Sequence, residues 1–191
     1  MIGKLTILVG AVALLALAGC IPSSLNGIYT DDNLVFEPAL VGVWGDPENP
    51  TSKEFNEFIK TGEKEYQLVS VNAEGEKCRF DIHMAKIGEA LFLDFYPEGD
   101  DINIPDCYEL NVIGTHTFFK VDQFEPMLKL SAINYDWLKE YLKKNPDVLS
   151  HQIIKNNYVL TGSTEEIIAF LAKHLSTEGA FEEAGEMVRI E

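Results

Sequence analysis

The chain has 191 residues, a hydrophobic fraction of 46% and a formal net charge of −16. This length suits a single domain with a sizeable core. The strong acidity argues against binding of nucleic acid, or of an anionic membrane surface, through the folded domain. It favours solubility or a basic partner.

The first twenty residues have the organisation of an export signal. Lys4 gives a positively charged start, and residues 5–18 are apolar apart from Thr6. This run is short for a membrane span but suits the hydrophobic region of a signal peptide. It ends in Leu17-Ala18-Gly19-Cys20, which resembles the lipobox of bacterial lipoproteins.

The lipobox resemblance implies cleavage between Gly19 and Cys20 and attachment of a diacylglycerol to the Cys20 thiol, usually with a further acyl chain such as palmitate. The partner would then be the lipid bilayer of the cell envelope. Ile21, rather than Asp, follows the cysteine, which implies the outer membrane if the cell is Gram-negative. The alternatives are an ordinary secretory signal with a chance cysteine, or an uncleaved anchor.

Three segments follow from this pattern: a signal peptide at 1–19, a lipidated N-terminus and tether at 20–37, and a single domain at 38–191. The tether is assigned because Ile21–Gly27 is polar and rich in turn-forming residues. We expect ordered structure to begin between Leu34 and Leu40.

Most of the domain has the pattern of β-strands separated by short turns. The clearest alternation places Cys78, Phe80, Ile82 and Met84 on one face of a strand and His83 on the other. Short turns between successive strands favour an antiparallel meander. Strands are predicted at 40–44, 54–60, 66–71, 78–85, 91–96, 112–121 and 127–133, although residues 54–60 also fit a helical turn.

Two helices are predicted in the C-terminal part of the chain. One follows a cap at Asn134 or Asp136, and the other opens with the capping box Ser163-Thr-Glu-Glu166. Residues 151–160 could be a strand or an irregular loop, and residues 186–190 a short closing strand. The fold class is mainly β (α+β): an antiparallel lipocalin-like meander barrel, or a strongly curved sheet, with about two C-terminal helices.

Gly42-Val43-Trp44 at the start of the meander resembles the Gly-x-Trp opening of lipocalins. Leu91–Phe95, His116–Lys120 and Asp136–Leu138 extend the resemblance to a family of uncharacterised bacterial lipoproteins with a lipocalin-like domain. The resemblance singles out His116. It implies that Trp44 and His116 belong to the core or line a ligand.

In typical lipocalins an arginine stacks on this tryptophan and closes the barrel. Arg189 is the only late arginine and could take that place, although its context differs. The Thr-Asp-Tyr loop motif is not recognisable. These two departures argue against small-molecule transport.

The remaining chemistry-bearing residues form no recognised motif. Cys78 and Cys107 could form a disulfide outside the cytoplasm, or one could be buried and the other lie in a loop. No catalytic residue, metal site or cofactor is predicted, because metal-binding and nucleophile signatures are missing from the sequence.

These features rank the possible functions. First is a non-enzymatic envelope lipoprotein that binds a protein partner or has a structural role. Alternatives are a lipocalin-like carrier of an apolar small molecule, which needs a hollow barrel, and an inhibitor of a basic enzyme. An enzyme ranks last, and clustering of His83, His116 and acidic side chains in one pocket would favour it.

Overall fold

The computed structural model describes residues 21–98, 112–155 and 157–191. The central element of these residues is one closed antiparallel barrel of eight strands. Its strands are β2 (Gly42–Gly45), β3 (Phe55–Lys60), β4 (Glu65–Val71), β5 (Lys77–Ile87), β6 (Ala90–Pro97), β7 (Thr117–Gln123), β8 (Met127–Ile133) and β11 (Phe181–Arg189).

The barrel closes through the last strand of the chain. Strands β2 to β8 form a meander in sequence order, and β11 pairs with both β8 and β2. The mainly β prediction is therefore confirmed, and of its two forms the closed barrel is present. The closing strand predicted at 186–190 is longer and begins at Phe181.

Two helices and a small sheet pack on the outside of the barrel. They are α1 (Tyr135–Lys144), α2 (Thr164–His174), and a sheet of β1 (Ser23–Ser24), β10 (Asn157–Leu160) and β9 (His151–Ile154). Asn134 caps α1, and Ser163 with Glu166 forms the predicted capping box of α2. Residues 151–160 are thus a hairpin, not an irregular loop.

The core has two layers because strand side chains alternate between the two faces of the barrel wall. Phe58, Leu68, Ile82, Leu93 and Phe119 belong to the layer inside the barrel. The second layer lies between the outer wall and the helices and contains Phe92, Phe118, Leu138, Leu142, Ile167 and Phe170.

Residues 21–37 are packed against the barrel, contrary to the expectation that ordered structure begins near residues 34–40. Ile28 is fully buried, and the Val35 amide donates to the Met84 carbonyl. The turn-forming residues make local bonds that hold the segment in place: the Asn33 side chain accepts from the Thr30 amide and donates to the Ile28 carbonyl. We call residues 21–37 the strap.

The strap runs along the outer wall to one end of the barrel. There a single 3-10 turn, Pro38–Leu40, covers the opening, and the Tyr66 hydroxyl contacts the Glu37 backbone. We call this the closed end and the opposite end the mouth. No helix in the described ranges is long and apolar enough to cross a membrane.

Candidate ligand-binding site

A cavity of about 320 Å³ lies inside the barrel. All but three of its lining residues belong to strands β3 to β7. Of these three, Ile21 precedes β1, Ser23 belongs to β1, and Thr115 precedes β7. The lining residues are Ile21, Ser23, Asn56, Phe58, Leu68, Ser70, Phe80, Phe95, Pro97, Thr115, Thr117 and Phe119.

On the β3–β4 side, the lining changes from apolar to polar toward the mouth. On β3 and β4, Phe58 faces Leu68, and two residues nearer the mouth Asn56 faces Ser70. Tyr66, at the closed end of β4, fixes this direction because it contacts the backbone beside the 3-10 turn. The cavity therefore has an aromatic floor and hydroxyl and amide groups above it.

No charged side chain is among the described residues that line the cavity. This composition contrasts with the formal charge of −16 of the whole chain. A charged ligand entering the cavity would lose its hydration and find no ionic partner among these residues, which costs free energy. The lining therefore fits an uncharged, mainly apolar molecule.

Asn56 supplies the amide of the cavity wall. It is buried, and its Nδ2 donates to the sulfur of Met187 at 3.3 Å. A thioether is a weak acceptor, so this bond can be exchanged for one to a carbonyl or hydroxyl of a ligand at small cost. Asn56 is the cavity residue best suited to orient a bound molecule.

Trp44 lies at the closed end and does not line the cavity. Its ring is 1% exposed, and its Nε1 donates to the Leu40 carbonyl at 2.9 Å. The Arg189 guanidinium stacks over the ring at 4.3 Å and donates to the carbonyls of Val41 and Ala39. Trp44 is therefore a core residue. Arg189 stacks on it as the arginine of typical lipocalins does, although the sequence around Arg189 differs from theirs.

Gly42 shows why a glycine precedes this tryptophan by two residues. Its φ is +141°, and a Cβ there would lie 2.1 Å from the Arg189 Nη1 atom. Any other residue would be strained and would displace the guanidinium from Trp44.

His116 lies on the outer wall, while its neighbours Thr115 and Thr117 line the cavity. Its Nδ1 donates to Asp94 Oδ1 at 2.6 Å, and Asp94 is 1% exposed. The second oxygen of Asp94 accepts from the Ile28 amide at 2.8 Å. The pair thus holds the strap on β6, which is a structural role.

His83 belongs to the same outer cluster. Its ring stacks on Tyr29 of the strap with centroids 3.9 Å apart, and burial lowers its pKa below the ordinary value. His83, His116 and Asp94 are therefore clustered, as an enzyme would require, but on the outer wall and not in the cavity. Among the described residues, no serine, threonine or cysteine side chain is hydrogen-bonded to either ring.

Sequence reasoning missed the N-terminal contribution to the cavity. Ile21 and Ser23 line it, although their turn-rich composition indicated a tether. The one available signal was that Ile21 is apolar, and a single apolar residue is not enough evidence to assign a segment to the core. Sequence reasoning also assigned no cavity role to Asn56, Ser70 or Thr117.

Several predicted site residues fall outside the described part of the chain. Gly19, Cys20 and Cys107 are among them, so lipidation, signal cleavage and the disulfide with Cys78 stay predictions. Cys78 itself is exposed on β5. Within the described residues, no three His, Cys, Asp or Glu side chains are grouped closely enough to hold a metal ion.

Comparisons with protein-family models, with curated proteins and with solved structures return no match.

Proposed function

We propose that this protein is a lipid-anchored lipoprotein of the cell envelope whose barrel binds an uncharged, mainly apolar small molecule. The observation that carries the proposal is the cavity of about 320 Å³ with its aromatic floor and uncharged wall. Pockets for small ligands hold roughly 300–1,000 Å³ and combine apolar walls with a few polar groups. The cavity lies at the lower end of that range.

This proposal places the carrier role above the protein-binding or structural role, which the sequence had ranked first. A filled barrel would have left only a structural or protein-binding role. The hollow interior supports the carrier role, and the stacking of Arg189 on Trp44 removes one of the two departures from the lipocalin pattern. The strong acidity still makes inhibition of a basic enzyme a second hypothesis, but no feature of the described surface favours a particular enzyme.

The lipobox Leu17–Cys20 supports the membrane-anchor part of the proposal. A diacylglycerol and a further acyl chain would hold the protein stably, since each buried methylene contributes about 0.8 kcal/mol and one chain alone gives only reversible binding. Anchoring would confine the carrier to the membrane surface, where apolar molecules are concentrated.

The test is a fluorescence titration with N-phenylnaphthylamine, an uncharged apolar probe that brightens in apolar surroundings. The full chain should bind it with saturation at one site. Ser70→Trp places a large ring in the cavity beside Asn56 and should abolish binding, because the added ring occupies much of the space. Ser70→Val, which changes polarity but adds little volume, is the matched control and should bind.

Three results would contradict the proposal. One is the absence of saturable binding in the unmodified protein. A second is equal binding by the Ser70→Trp variant with its circular dichroism spectrum unchanged. The third is a preference for anionic over uncharged probes, since the wall offers no cationic partner.

A further inference from the structure

The strap begins at the mouth of the barrel. Ile21, its first residue, lines the cavity and packs against the core inside the barrel. On its other side, Ile21 lines a second cavity of about 190 Å³, together with Ile154 and Asn157 of the β9–β10 hairpin. Residue 20, the predicted lipidation site, is joined directly to Ile21. Any lipid carried there would therefore be attached beside the mouth.

The hairpin tip lies at this same end of the molecule. β1 runs parallel to β10, with Ser23 opposite Val159. Two residues earlier on both strands, Ile21 is level with Asn157, whose partner on β9 is Ile154. The tip of the β9–β10 hairpin is consequently beside Ile21.

Two pairs of exposed apolar side chains lie in two segments that reach the mouth. Val112 is 51% and Ile113 75% exposed, just before the cavity residue Thr115. Ile153 and Ile154, at the hairpin tip, are 57% and 54% exposed. Of the seven large hydrophobic side chains exposed in the described ranges, these four are the most exposed. We call them the apolar rim.

We propose that the apolar rim lies in the interface of the bilayer that holds the lipid anchor, so that the mouth of the barrel opens against the membrane and exchanges its ligand with it. This inference rests on the proposed function, because it presumes both the anchor and a ligand in the cavity. It adds the partner surface and the source of the ligand: a molecule dissolved in the bilayer, not one free in solution.

Acidic residues lie on more than one side of the mouth. The loops on the other side of the mouth, residues 46–54 and 72–76, carry five carboxylates and one lysine. Bacterial membrane surfaces that contain anionic lipids repel such loops. Lys155, at the hairpin tip, is exposed beside the rim and can approach a lipid phosphate. Residues 97–109, just before the rim residue Val112, carry five further carboxylates, so apolar contact and not charge would hold the rim at the bilayer.

The short attachment supports this orientation. A flexible tether of many residues would let the domain turn freely above the membrane. Here the strap is packed from Ile21 onward, so no described residue separates the barrel from the predicted anchor. The exposed isoleucines of the rim would promote aggregation of a protein free in solution, but here they lie where a membrane can cover them.

The test uses the full lipidated chain in vesicles of phosphatidylethanolamine and phosphatidylglycerol, with an NBD fluorophore on a single cysteine. The background is Cys78→Ser with Cys107→Ser, and the Cys20 thiol is blocked by its lipid. Ile113→Cys and Ile154→Cys place the label in the rim. Lys64→Cys, in the β3–β4 turn at the closed end, is one control. The second control position is Cys78, on the acidic side of the mouth, which is labelled in the Cys107→Ser variant.

The expected result is a several-fold rise in NBD emission at both rim positions, with quenching by nitroxide placed on the lipid acyl chains. The labels at Lys64→Cys and Cys78 should show neither effect. Unquenched rim labels, or equal quenching at all four positions, would overturn the inference.

A second measurement separates this inference from the proposed function. Ile113→Glu with Ile154→Glu should slow transfer of N-phenylnaphthylamine from vesicles to the anchored protein several-fold. Its affinity for the probe without vesicles should be unchanged, because neither side chain lines the barrel cavity. Unchanged transfer with intact binding overturns the membrane-facing mouth alone, whereas loss of binding in the unmodified protein overturns the proposed function.

Discussion

Arg189 shows how one side chain can close an end of the barrel. Its guanidinium covers Trp44 and donates to the carbonyls of Val41 and Ala39, which otherwise lie beyond the end of the strand ladder. Arg189→Ala should lower the free energy of unfolding by about 1–2 kcal/mol, through loss of these bonds and of the cation–π contact. Urea denaturation followed by tryptophan emission measures the loss.

Arg189→Lys is the matched variant for that prediction. Lysine keeps the charge but not the planar fork that spans two carbonyls and stacks on the ring. It should recover only part of the lost stability. Full recovery would show that charge alone matters and that the stacking contributes nothing.

His174 makes stability depend on pH. It is buried in the last turn of α2 against the rings of Trp137, Tyr141 and Phe170, and its Nε2 is the one buried side-chain polar atom in the described residues without a partner. Burial, with a smaller contribution from Lys173, lowers its pKa below the ordinary 6.5.

The sign of the effect follows from this lowered pKa. Above pH 6.5 the ring is neutral in both folded and unfolded chains, and its contribution is fully present. As the pH falls below 6.5, the unfolded chain takes up the proton first, so stability is lost until the folded pKa is passed. His83, whose pKa is also lowered, adds to the same loss.

His174→Phe should keep the aromatic cluster and reduce this pH dependence. Comparison of the urea midpoints at pH 8 and pH 5 isolates the effect, since any change that is common to both pH values cancels. An equally steep pH dependence in the variant would contradict the assignment.

At the scale of elements, the strap depends on a single buried carboxylate. Asp94 accepts from the Ile28 amide and from His116 Nδ1, so it joins β6 to the strap and to the start of β7. Gly27 passes close by, and a Cβ there would lie 2.8 Å from the Asp94 carboxylate. The close approach of the strap requires both the glycine and the carboxylate.

Asp94→Ala should release the strap. Two buried donors would lose their acceptor, at a cost of about 2–4 kcal/mol. Hydrogen exchange of the amides in residues 24–30 should accelerate by much more than exchange in β3. Asp94→Asn retains one acceptor oxygen, so its exchange rates in residues 24–30 should lie between those of the parent protein and of Asp94→Ala. Unchanged exchange in the strap would show that packing of Ile28 alone holds it.

The elements differ in how far the sequence could predict them. The α2 helix was predictable because Ser163 and Glu166 act locally, and β5 because its side chains alternate strictly. The strap was not, because its bonds to Asp94 and Met84 join residues more than forty positions apart and leave no periodic pattern. The Asp94–His116 pair, 22 positions apart, also leaves no periodic pattern.

For the whole molecule, the sequence predicted a barrel or a curved sheet but could not predict the cavity. Whether a barrel is hollow depends on how inward side chains from different strands share volume. The inward Ser70 and Thr117, opposite large phenylalanines, leave the space that larger residues would fill.

The anchor is also a property of the whole molecule. Cys20→Ala should abolish lipidation, so that the chain moves from the detergent phase to the aqueous phase in a Triton X-114 partition of host membranes. Intact mass should fall by the mass of the attached lipid. A parent protein that already partitions into water would contradict the lipobox assignment.

The most direct test of the account is native mass spectrometry of the full chain, purified from the envelope of its own host in mild detergent. We expect a fraction of the protein to carry one uncharged small molecule that leaves on denaturation, and Ser70→Trp to arrive without it. A parent protein that is always free of ligand, and that binds no N-phenylnaphthylamine, would contradict the claim that the barrel is a carrier.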